Sequence, residues 1–592
     1  MAETKQFIRG GSFLLDSGMY GDMFTPEDLT EEHKMFGKTT EDFVVNEVLP
    51  HLEKIEEHQF DISVRLLKEA GELGLLGVDV PEAYEGLNLD KISSAYITEK
   101  FARGRSFALS FGAHVGIGTL PIVYFGNEDQ KSRYLPDLAT GRKLAAYCLT
   151  EPGSGSDALG AKTTAKLSDD GKHYILNGEK QWITNAGFAD VFVVYAKIDG
   201  EKFTAFIVER NFPGVSFGAE EKKMGIKGSS TRTVIFQDVH VPVENLLGEA
   251  GKGHLIAFNI LNVGRYKLAV GAVGSAKRAL EVATTYAKER KQFKTSIANF
   301  SLIQNKLANM AVKIFAAESS VYRTVGLYET AYNALLEKGE TVGAEVKAIA
   351  DYAIECSINK VFCSETLDYC VDEGVQIHGG YGFMSEYEIE GMYRDSRINR
   401  IFEGTNEINR LLIPDMLIKK GIKGELPLMK AAMGLQEELM SYYPSEIEEA
   451  PLAQEKHLID MAKKIILMVA GSALMKYQQA LAKEQELLVL AADMLSELYA
   501  MDSVVKRTEK AMAKNGVEKE SAKLDLTTVY VHEAFDKIEA MAKEGLAAME
   551  EGDELRMRLS ILKKLTRKNS VNTIQLKRQI AQRVIEADGY VV

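Results

Sequence analysis

The chain has 592 residues, 46% of them hydrophobic and 26% charged, which is the composition of a soluble globular protein. This length exceeds one ordinary hydrophobic core and predicts two to four domains. The formal net charge of −14 argues against nonspecific nucleic-acid binding, and the 4 cysteines form no disulfide scaffold. We therefore expect a protein of a reducing compartment that binds no nucleic acid.

The N-terminal segment Met1–Gly11 has neither the apolar core of a signal peptide nor the pattern of a transit peptide. The apolar run Ile465–Met475 is well short of a membrane span. We therefore expect a cytoplasmic location. Residues 1–29 show no clear period and are predicted to form a loosely structured arm.

Residues 30–144 are predicted to be a helical domain. Apolar residues recur at spacings of three and four in Glu41–His51, Ile62–Gly71 and Ser94–Arg103. A further short helix is expected to stop at Pro136.

Three glycines interrupt the apolar helical pattern of Ser110–Leu120: Gly112, Gly116 and Gly118. Each costs roughly 1 kcal/mol relative to alanine inside a helix. They indicate either close helix packing or space left beside the helix for a long apolar ligand. His114, on the same face, is interpreted as a core histidine.

Residues 145–252 change to a β pattern. Two hairpins are predicted, one joining Thr164–Leu167 to His173–Leu176 and one joining Val191–Lys197 to Phe203–Val208. Short strands at this spacing suggest a small antiparallel β-domain.

Long helical segments return over 253–424 and predict a helix bundle. Residues 425–454, with three prolines, are predicted to be a linker, and 455–592 are predicted to be a second helical domain. The basic segment Arg556–Lys568 there is either a solvated helix face or a contact with an anionic membrane. Three cysteines spaced seven apart, Cys356, Cys363 and Cys370, are interpreted as core residues, and no metal site is expected.

The stretch Gln376–Arg410 holds the most informative residues. Glu403 stands between Phe402 and Gly404, at a break between two helical patterns. A carboxylate beside an aromatic ring and a glycine can be desolvated on one side, which raises its pKa and makes it a better proton acceptor. Thr405 is a suitable N-cap for the next helix, whose free N–H groups can bind an anion such as a pyrophosphate.

Two further expectations concern Glu403 and the helix that follows it. By composition alone, Glu403 could be a solvated glutamate at a helix end. Pro414 is expected to bend or interrupt the second helix.

The sequence Gln-Ile-His-Gly-Gly-Tyr-Gly at 376–382, followed by Phe-Glu-Gly-Thr-Asn-Glu at 402–407, resembles the C-terminal signature of the acyl-CoA dehydrogenase family. The resemblance implies an α+β fold with an N-terminal helical domain, a middle antiparallel β-domain and a C-terminal four-helix bundle. The extra helical region resembles the C-terminal extension of the very-long-chain branch, and the glycine-rich helix resembles the corresponding helix of that branch. The resemblance further implies a bacterial enzyme of fatty-acid β-oxidation in which Glu403 removes the substrate's α-proton.

The resemblance also implies FAD as cofactor. Gly153 and Gly155 could suggest a dinucleotide fingerprint, but Pro152 precedes them and no helix follows, so that reading is rejected. The residues that match flavin-binding positions of the family are Tyr147, Leu149, Thr150, Gly155, Ser156, Trp182, Ile183, Thr184, Arg290, Gln292, Phe293, Gln376, Ile377, Gly379, Gly380, Thr405, Asn406 and Glu407.

The residues that match substrate-binding positions are Ser156, Asn262, Arg265, Phe402 and Gly404. One branch of the family carries its catalytic glutamate at the position of Gly264. Because glycine cannot act as a base, Glu403 is the candidate that remains.

Two positions depart from the family pattern. The family usually has Gly where this chain has Lys294 and Gln where it has Ser301, and Gln304 could take over the second role.

The resemblance implies α,β-dehydrogenation of a long-chain fatty acyl-CoA to a trans-2-enoyl-CoA. Electrons would pass to an electron-transfer flavoprotein. Flavin contacts from a neighbouring subunit imply a homo-oligomer, with a dimer favoured. Two alternatives remain open at this point: an acyl-CoA oxidase that uses oxygen, and a non-catalytic assembly scaffold with the same fold.

Overall fold

The computed structural model describes residues 8–15, 23–441 and 447–592. It is an α+β fold in which a sheet lies between an N-terminal group of helices and a C-terminal helical bundle, and further helices follow the bundle. The predicted fold class is confirmed.

The N-terminal helices are α1 (Glu31–Phe43), α2 (Leu52–Glu56), α3 (Phe60–Glu72), α4 (Lys91–Phe101), α5 (Ser106–Gly112), α6 (Leu120–Phe125) and α7 (Glu128–Ala139). Reciprocal side-chain caps start two of them: Thr30 caps α1, and Asn127 caps α7. Between α5 and α6 the chain forms a wider π-helical turn, Ala113–Gly118.

The described parts of the N-terminal arm are packed, so the prediction of a loose arm is wrong for them. Phe13 and Leu14 are buried, and the Phe13 ring meets Tyr499 edge-on at 5.0 Å. The backbone N–H of Gly11 donates to Glu355 at 2.6 Å. The sequence could not predict this packing, because it depends on only two apolar side chains and one buried hydrogen bond.

The strands are β1 (Ala145–Cys148), β2 (Thr164–Leu167), β3 (His173–Thr184), β4 (Val191–Ile198), β5 (Lys202–Glu209), β6 (Val215–Phe217), β7 (Thr231–Pro242) and β8 (Leu246–Leu247). The sheet order is β6-β7-β3-β2-β4-β5-β8, with β1 also paired to β4. Both predicted hairpins are confirmed as β2–β3 and β4–β5. The sheet is not wholly antiparallel, because β1 and β2 both pair with β4 in parallel.

The bundle contains α8 (Gly253–Glu289), α9 (Ser301–Glu337), α10 (Ala344–Asp351), α11 (Ala353–His378), α12 (Glu388–Ser396) and α13 (Asn406–Ile422). A two-residue hairpin, β9 (Lys291–Gln292) and β10 (Thr295–Ser296), joins α8 to α9. The long helices α8, α9 and α11 pack together, and α13 packs on α11.

The C-terminal helices are α14 (Leu428–Ser441), α15 (Ala453–Tyr477), α16 (Gln485–Asn515), α17 (Ser521–Met549), α18 (Gly552–Leu565) and α19 (Thr573–Glu586). Helix α14 occupies half of the predicted linker, so that prediction is wrong there, and Pro444 lies outside the described residues. Leu435 and Leu439 are buried and give α14 the apolar side that a linker would lack.

The predicted stop at Pro136 and the predicted interruption at Pro414 are also wrong, because Pro136 lies inside α7 and Pro414 inside α13 and neither ends its helix. A bend at Pro414 stays a prediction. A proline in a helix costs about 3 kcal/mol, but Leu135 and Leu138 beside the first and Ile413 beside the second are fully buried. The tertiary packing of these neighbours keeps both helices continuous.

The segment Ser106–Phe125 is long and apolar enough to cross a membrane by length and composition alone. Of its most apolar stretch, 78% is buried inside the protein, as in a core helix. His114 in this segment is also buried, as predicted: its ring accepts the Ala145 N–H at 3.0 Å, and burial lowers its pKa to about 4.

Candidate active site

A cavity of about 240 Å³ lies where the N-terminal helices, the sheet and the bundle meet. Its walls include Gly112 and Gly116 from the π-helical region, Thr184 from the end of β3 and Gly264 from α8. Glu403 lines the same cavity together with Phe402. The walls are mainly apolar, so the cavity suits an apolar chain that approaches a carboxylate.

The glycines behave differently along the cavity wall. A Cβ at Gly112 or Gly116 would meet no atom within 4 Å, whereas a Cβ at Gly118 would lie 2.8 Å from that of Ala145. The reading of open space therefore holds for the first two, and close packing holds for Gly118.

Glu403 sits in a left-handed turn. Its φ is 57° and that of Gly404 is 80°, a conformation that a glutamate rarely adopts. Arg265 donates from Nε to the Glu403 carbonyl at 3.2 Å, and Asn409 donates to the Gly404 carbonyl at 2.8 Å. Thr405 caps α13 by accepting the Ile408 N–H, which confirms the predicted N-cap.

The Glu403 carboxylate is placed for proton transfer. Its Oε2 is buried and has no hydrogen-bond partner among the described residues. Burial raises the pKa of Glu403 to about 7, while the charges of Arg265 and Lys360 oppose that rise. A carboxylate with a pKa near neutrality is a suitable general base.

Gly264 gives this carboxylate its room. A Cβ at that position would lie 2.7 Å from Glu403 Oε2, closer than a real Cβ approaches any atom. Beside it, Arg265 donates from Nη1 to Asn262 Oδ1 at 3.0 Å, and both side chains are buried.

The end of β3 presents a flat aromatic surface. A bulge between Lys180 and Ile183 gives Trp182 a φ of 58° and leaves the side chain 61% exposed. Ile183 turns into the core of the sheet, and Thr184 lines the cavity. The bulge therefore turns neighbouring side chains in different directions.

The motif after β1 combines buried and open positions. Tyr147 and Leu149 are buried, whereas Gly155 and Ser156 are exposed and a Cβ at Gly155 would meet nothing within 4 Å. Thr150, half-buried, accepts the Gln181 N–H at 2.9 Å. Buried Lys180 pairs with Glu151 at 2.7 Å and fixes the motif to β3.

The residues predicted around Arg290 and Gly379 do not line the cavity. Arg290, Gln292 and Phe293 are exposed at the β9–β10 turn. The Arg290 guanidinium lies 5.4 Å from the centre of the Tyr381 ring, so this turn meets the segment after α11. At the end of α11 Gln376 is exposed and Ile377 is buried, and Gly379 and Gly380 just after the helix are exposed.

The two departures from the family pattern have local structural accounts. Phe293 and Lys294 both have positive φ, 51° and 68°, in the turn where the family usually has a glycine. Gln304, expected to replace a missing glutamine, donates its amide to the Ala298 carbonyl at 3.1 Å.

Comparisons with known proteins agree with this geometry. Family models for acyl-CoA dehydrogenase match the N-terminal domain over residues 30–142, the middle domain over 146–239 and the C-terminal domain over 251–418 and 461–564. A probable acyl-CoA dehydrogenase of Bacillus subtilis (strain 168) is 64% identical over 585 residues, which are 99% of this chain and 98% of that protein. This chain belongs to the acyl-CoA dehydrogenase family.

Two more relatives of this acyl-CoA dehydrogenase extend the comparison. The very long-chain specific acyl-CoA dehydrogenase, mitochondrial, of Homo sapiens is 35% identical over 558 residues, which are 89% of this chain and 81% of that protein. The crystal structure of an acyl-CoA dehydrogenase complexed with FAD from Bacillus anthracis is 65% identical and superposes with a TM-score of 0.97, covering 99% of this chain and 100% of that one.

Sequence reasoning about this acyl-CoA dehydrogenase missed Lys360. Its Nζ donates to the Gly404 carbonyl at 2.8 Å and to Asn406 Oδ1 at 2.7 Å. Asn406 is buried, and its side-chain amide also donates to Ser364 and Glu365 of α11. The Asn406 side chain therefore holds the loop against α11. Glu407 in the next position is exposed. A lone lysine inside an apolar helical pattern gave no signal of this contact.

Proposed function

We propose that this acyl-CoA dehydrogenase oxidises the Cα–Cβ bond of a saturated fatty acyl-CoA thioester to a trans-2-enoyl-CoA, with FAD as cofactor. The observation that carries the proposal is the Glu403 carboxylate at the wall of an apolar cavity, whose Oε2 is buried and has no partner among the described residues. An uncompensated buried acid is costly to keep and is a common feature of proton-transfer sites.

The residues around the cavity suit a flavin. Trp182 offers an exposed flat ring, and Thr184 lines the cavity next to it. Gly155 leaves open backbone, since a Cβ there would meet nothing within 4 Å, and the N–H groups at the start of α13 suit a phosphate. Gly380 and Arg290 do not line this cavity, and we propose that they bind the FAD of a neighbouring subunit, with the Arg290 guanidinium on its phosphates. Bound FAD supplies the acceptor for the β-hydride.

The chain's own residues divide the remaining work. Glu403 takes the α-proton, and its backbone N–H polarises the thioester carbonyl, as in an oxyanion hole. Arg265 holds the loop through the Glu403 carbonyl, and Asn262 holds Arg265. Phe402 lines the cavity, and we place Asn262, Arg265 and Gly404 with it near the thioester end of the substrate. Ser156, exposed after β1, contacts the CoA portion of the substrate.

We also propose a preference for long acyl chains. The support is the unfilled space at Gly112 and Gly116 and the mainly apolar wall of the cavity. The very long-chain specific human relative is consistent with this preference.

The physiological acceptor that we propose is an electron-transfer flavoprotein, and the compartment is the bacterial cytoplasm. All four cysteines are free and buried, as suits a reducing compartment. Membrane contact through α18 stays a prediction: Leu562 and Leu565 are buried, and Arg556 and Arg558 pair with acidic neighbours on the same helix.

The decisive experiment is anaerobic reduction of the bound flavin by saturated acyl-CoA thioesters. We expect the wild type to bleach and Glu403→Gln to bind flavin normally but to lose reduction by roughly 10³-fold or more, because the base is removed. A Glu403→Gln variant that keeps a sizeable fraction of the wild-type rate would mean that another group is the base.

The same experiment separates the alternatives. Hydrogen peroxide formed in step with the enoyl product in air would favour an acyl-CoA oxidase over a dehydrogenase. A purified protein that binds no FAD, or whose flavin no fatty acyl-CoA bleaches, would favour the assembly scaffold and defeat the proposal.

A further inference from the structure

Lys360 lies inside α11 and is fully buried, with 0% of its surface exposed. A buried ammonium group is costly and is kept only where its hydrogen bonds are made. Two of its protons go to the loop that carries Glu403: one to the Gly404 carbonyl at 2.8 Å and one to Asn406 Oδ1 at 2.7 Å.

These bonds act on a strained backbone. Glu403 and Gly404 are both left-handed, and such a conformation persists only where its surroundings hold it. Lys360 binds the carbonyl directly after Glu403, and Arg265 binds the carbonyl of Glu403 itself. Asn409, the other side-chain donor to the Gly404 carbonyl, belongs to the loop's own helix. Lys360 of α11 and Arg265 of α8 therefore both tie the turn to the bundle, each through one of two consecutive carbonyls.

Lys360 also carries charge close to the base. The charged groups that act on it are Glu403, Arg265, Glu407 and Glu365. Burial lowers the pKa of Lys360 to about 7, and the Glu403 charge opposes this shift. The lysine in turn opposes the rise in the pKa of Glu403. Each group therefore favours the charged form of the other.

We propose that Lys360 is a positioning residue for Glu403, acting on the carbonyl that follows it while Arg265 holds the Glu403 carbonyl. Its ammonium group fixes the left-handed turn that directs the carboxylate into the cavity, and its charge favours the ionised carboxylate that accepts the proton. This inference rests on the proposed role of Glu403 as base.

The test compares Lys360→Met, which removes both charge and donor, with Lys360→Gln, which removes the charge and keeps a donor. The readouts are flavin content, affinity for a non-reducible acyl-CoA thioether, and the rate of flavin reduction from pH 6 to pH 9.5. We expect both variants to keep flavin and to bind the thioether within about threefold of wild type, because Lys360 does not line the cavity.

The acid limb of the reduction rate should move to higher pH by about one pH unit in both variants, because a nearby cation lowers a carboxyl pKa. Above this limb the Gln variant should recover more of the wild-type rate than the Met variant, since it still binds the loop carbonyl. At pH 7 the Met variant should be slower by roughly 30-fold or more.

Lys523→Met is the matched control. Lys523 is another buried lysine, paired with Glu520 at 2.8 Å in the C-terminal helices. Its loss should lower thermal stability and leave the acid limb in place.

If both Lys360 variants reduce their flavin at the wild-type rate and keep the acid limb at the wild-type pH, this inference is overturned and the proposed function is not. Loss of flavin from both variants would also overturn it, because Lys360 would then support the fold rather than the base. A wild type that acyl-CoA does not bleach would instead defeat the proposed function.

Discussion

Trp182 is the only tryptophan of the chain, and it is both exposed and left-handed. Its emission therefore reports on one surface, the surface proposed to stack on the flavin. We expect FAD added to the apoprotein to quench most of this emission, because the two rings would be in contact. The measurement is a fluorescence titration with excitation selective for tryptophan.

Trp182→Phe is the control for this titration. It should show no tryptophan signal, and its flavin binding can be followed by flavin emission instead. Unchanged Trp182 emission at stoichiometric FAD would place the isoalloxazine ring elsewhere.

The sequence was informative about single residues where a motif named them. Thr405 could be singled out as an N-cap from its residue type and position, whereas Glu403 and Gly264 were singled out through the resemblance to the family. Lys360 could not, because the contact joins residues 44 positions apart in the chain. The exposure of the Trp182 side chain could not be predicted either, since it depends on a bulge in the register between β3 and β7.

At the scale of elements, the π-helical turn Ala113–Gly118 shapes the cavity. Gly116 faces its open space, so a large side chain there would occupy room proposed for the acyl chain. We expect Gly116→Phe to lower kcat/KM for long-chain acyl-CoA by roughly tenfold or more relative to a four-carbon substrate. Kinetics across a series of chain lengths measure this.

Gly118→Ala gives the contrast within the same segment. Its new Cβ would meet Ala145 at 2.8 Å, so the variant should lose stability and activity on all chain lengths alike. An equal loss on short and long chains in Gly116→Phe would argue against the acyl-pocket role of this segment.

Element prediction succeeded where the pattern was local and periodic, as in the two hairpins and the long helices of the bundle. It failed where distant packing decided the outcome. Pro136 and Pro414 are carried inside helices by buried neighbours. The parallel pairing of β1 with β4 likewise depends on chain direction in the whole sheet, which no local pattern encodes.

At the scale of the whole molecule, Arg507 joins three parts of the chain. It is buried and pairs with Glu27 of the N-terminal arm and Glu318 of α9, each at 2.7 Å, while Tyr590 donates to Glu318 at 2.7 Å. We expect Arg507→Met to destabilise the protein by about 3 kcal/mol, because it removes one of the two cations paired with buried Glu318 and the ion pair that joins α16 to Glu27. Thermal unfolding midpoints measure the change.

Lys456→Met serves as the comparison, because its ion pair with Glu509 is half exposed and contributes about 0–1 kcal/mol. Equal unfolding midpoints for the Arg507 and Lys456 variants would contradict a role of Arg507 in joining these parts.

The stability that Glu318 contributes depends on pH with a definite sign. Burial raises the pKa of Glu318, but Lys277 and Arg507 outweigh it and lower the value from 4.5 to about 2. Its stabilising effect is therefore present above about pH 4.5 and is lost as the pH falls towards 2.

The last prediction concerns association. Phe293 and Phe383 are 89% and 80% exposed beside the Arg290–Tyr381 contact, where flavin contacts from a second subunit are proposed. Exposed aromatic side chains are enriched at protein interfaces, so we predict that this surface joins two copies of the chain. We expect Phe383→Asp to dissociate the oligomer and to lower flavin content together, measured by light scattering and absorbance. Val342→Asp, at an equally exposed apolar position before α10, should change neither. A Phe383→Asp variant that stays oligomeric with full flavin would place the subunit interface on another surface.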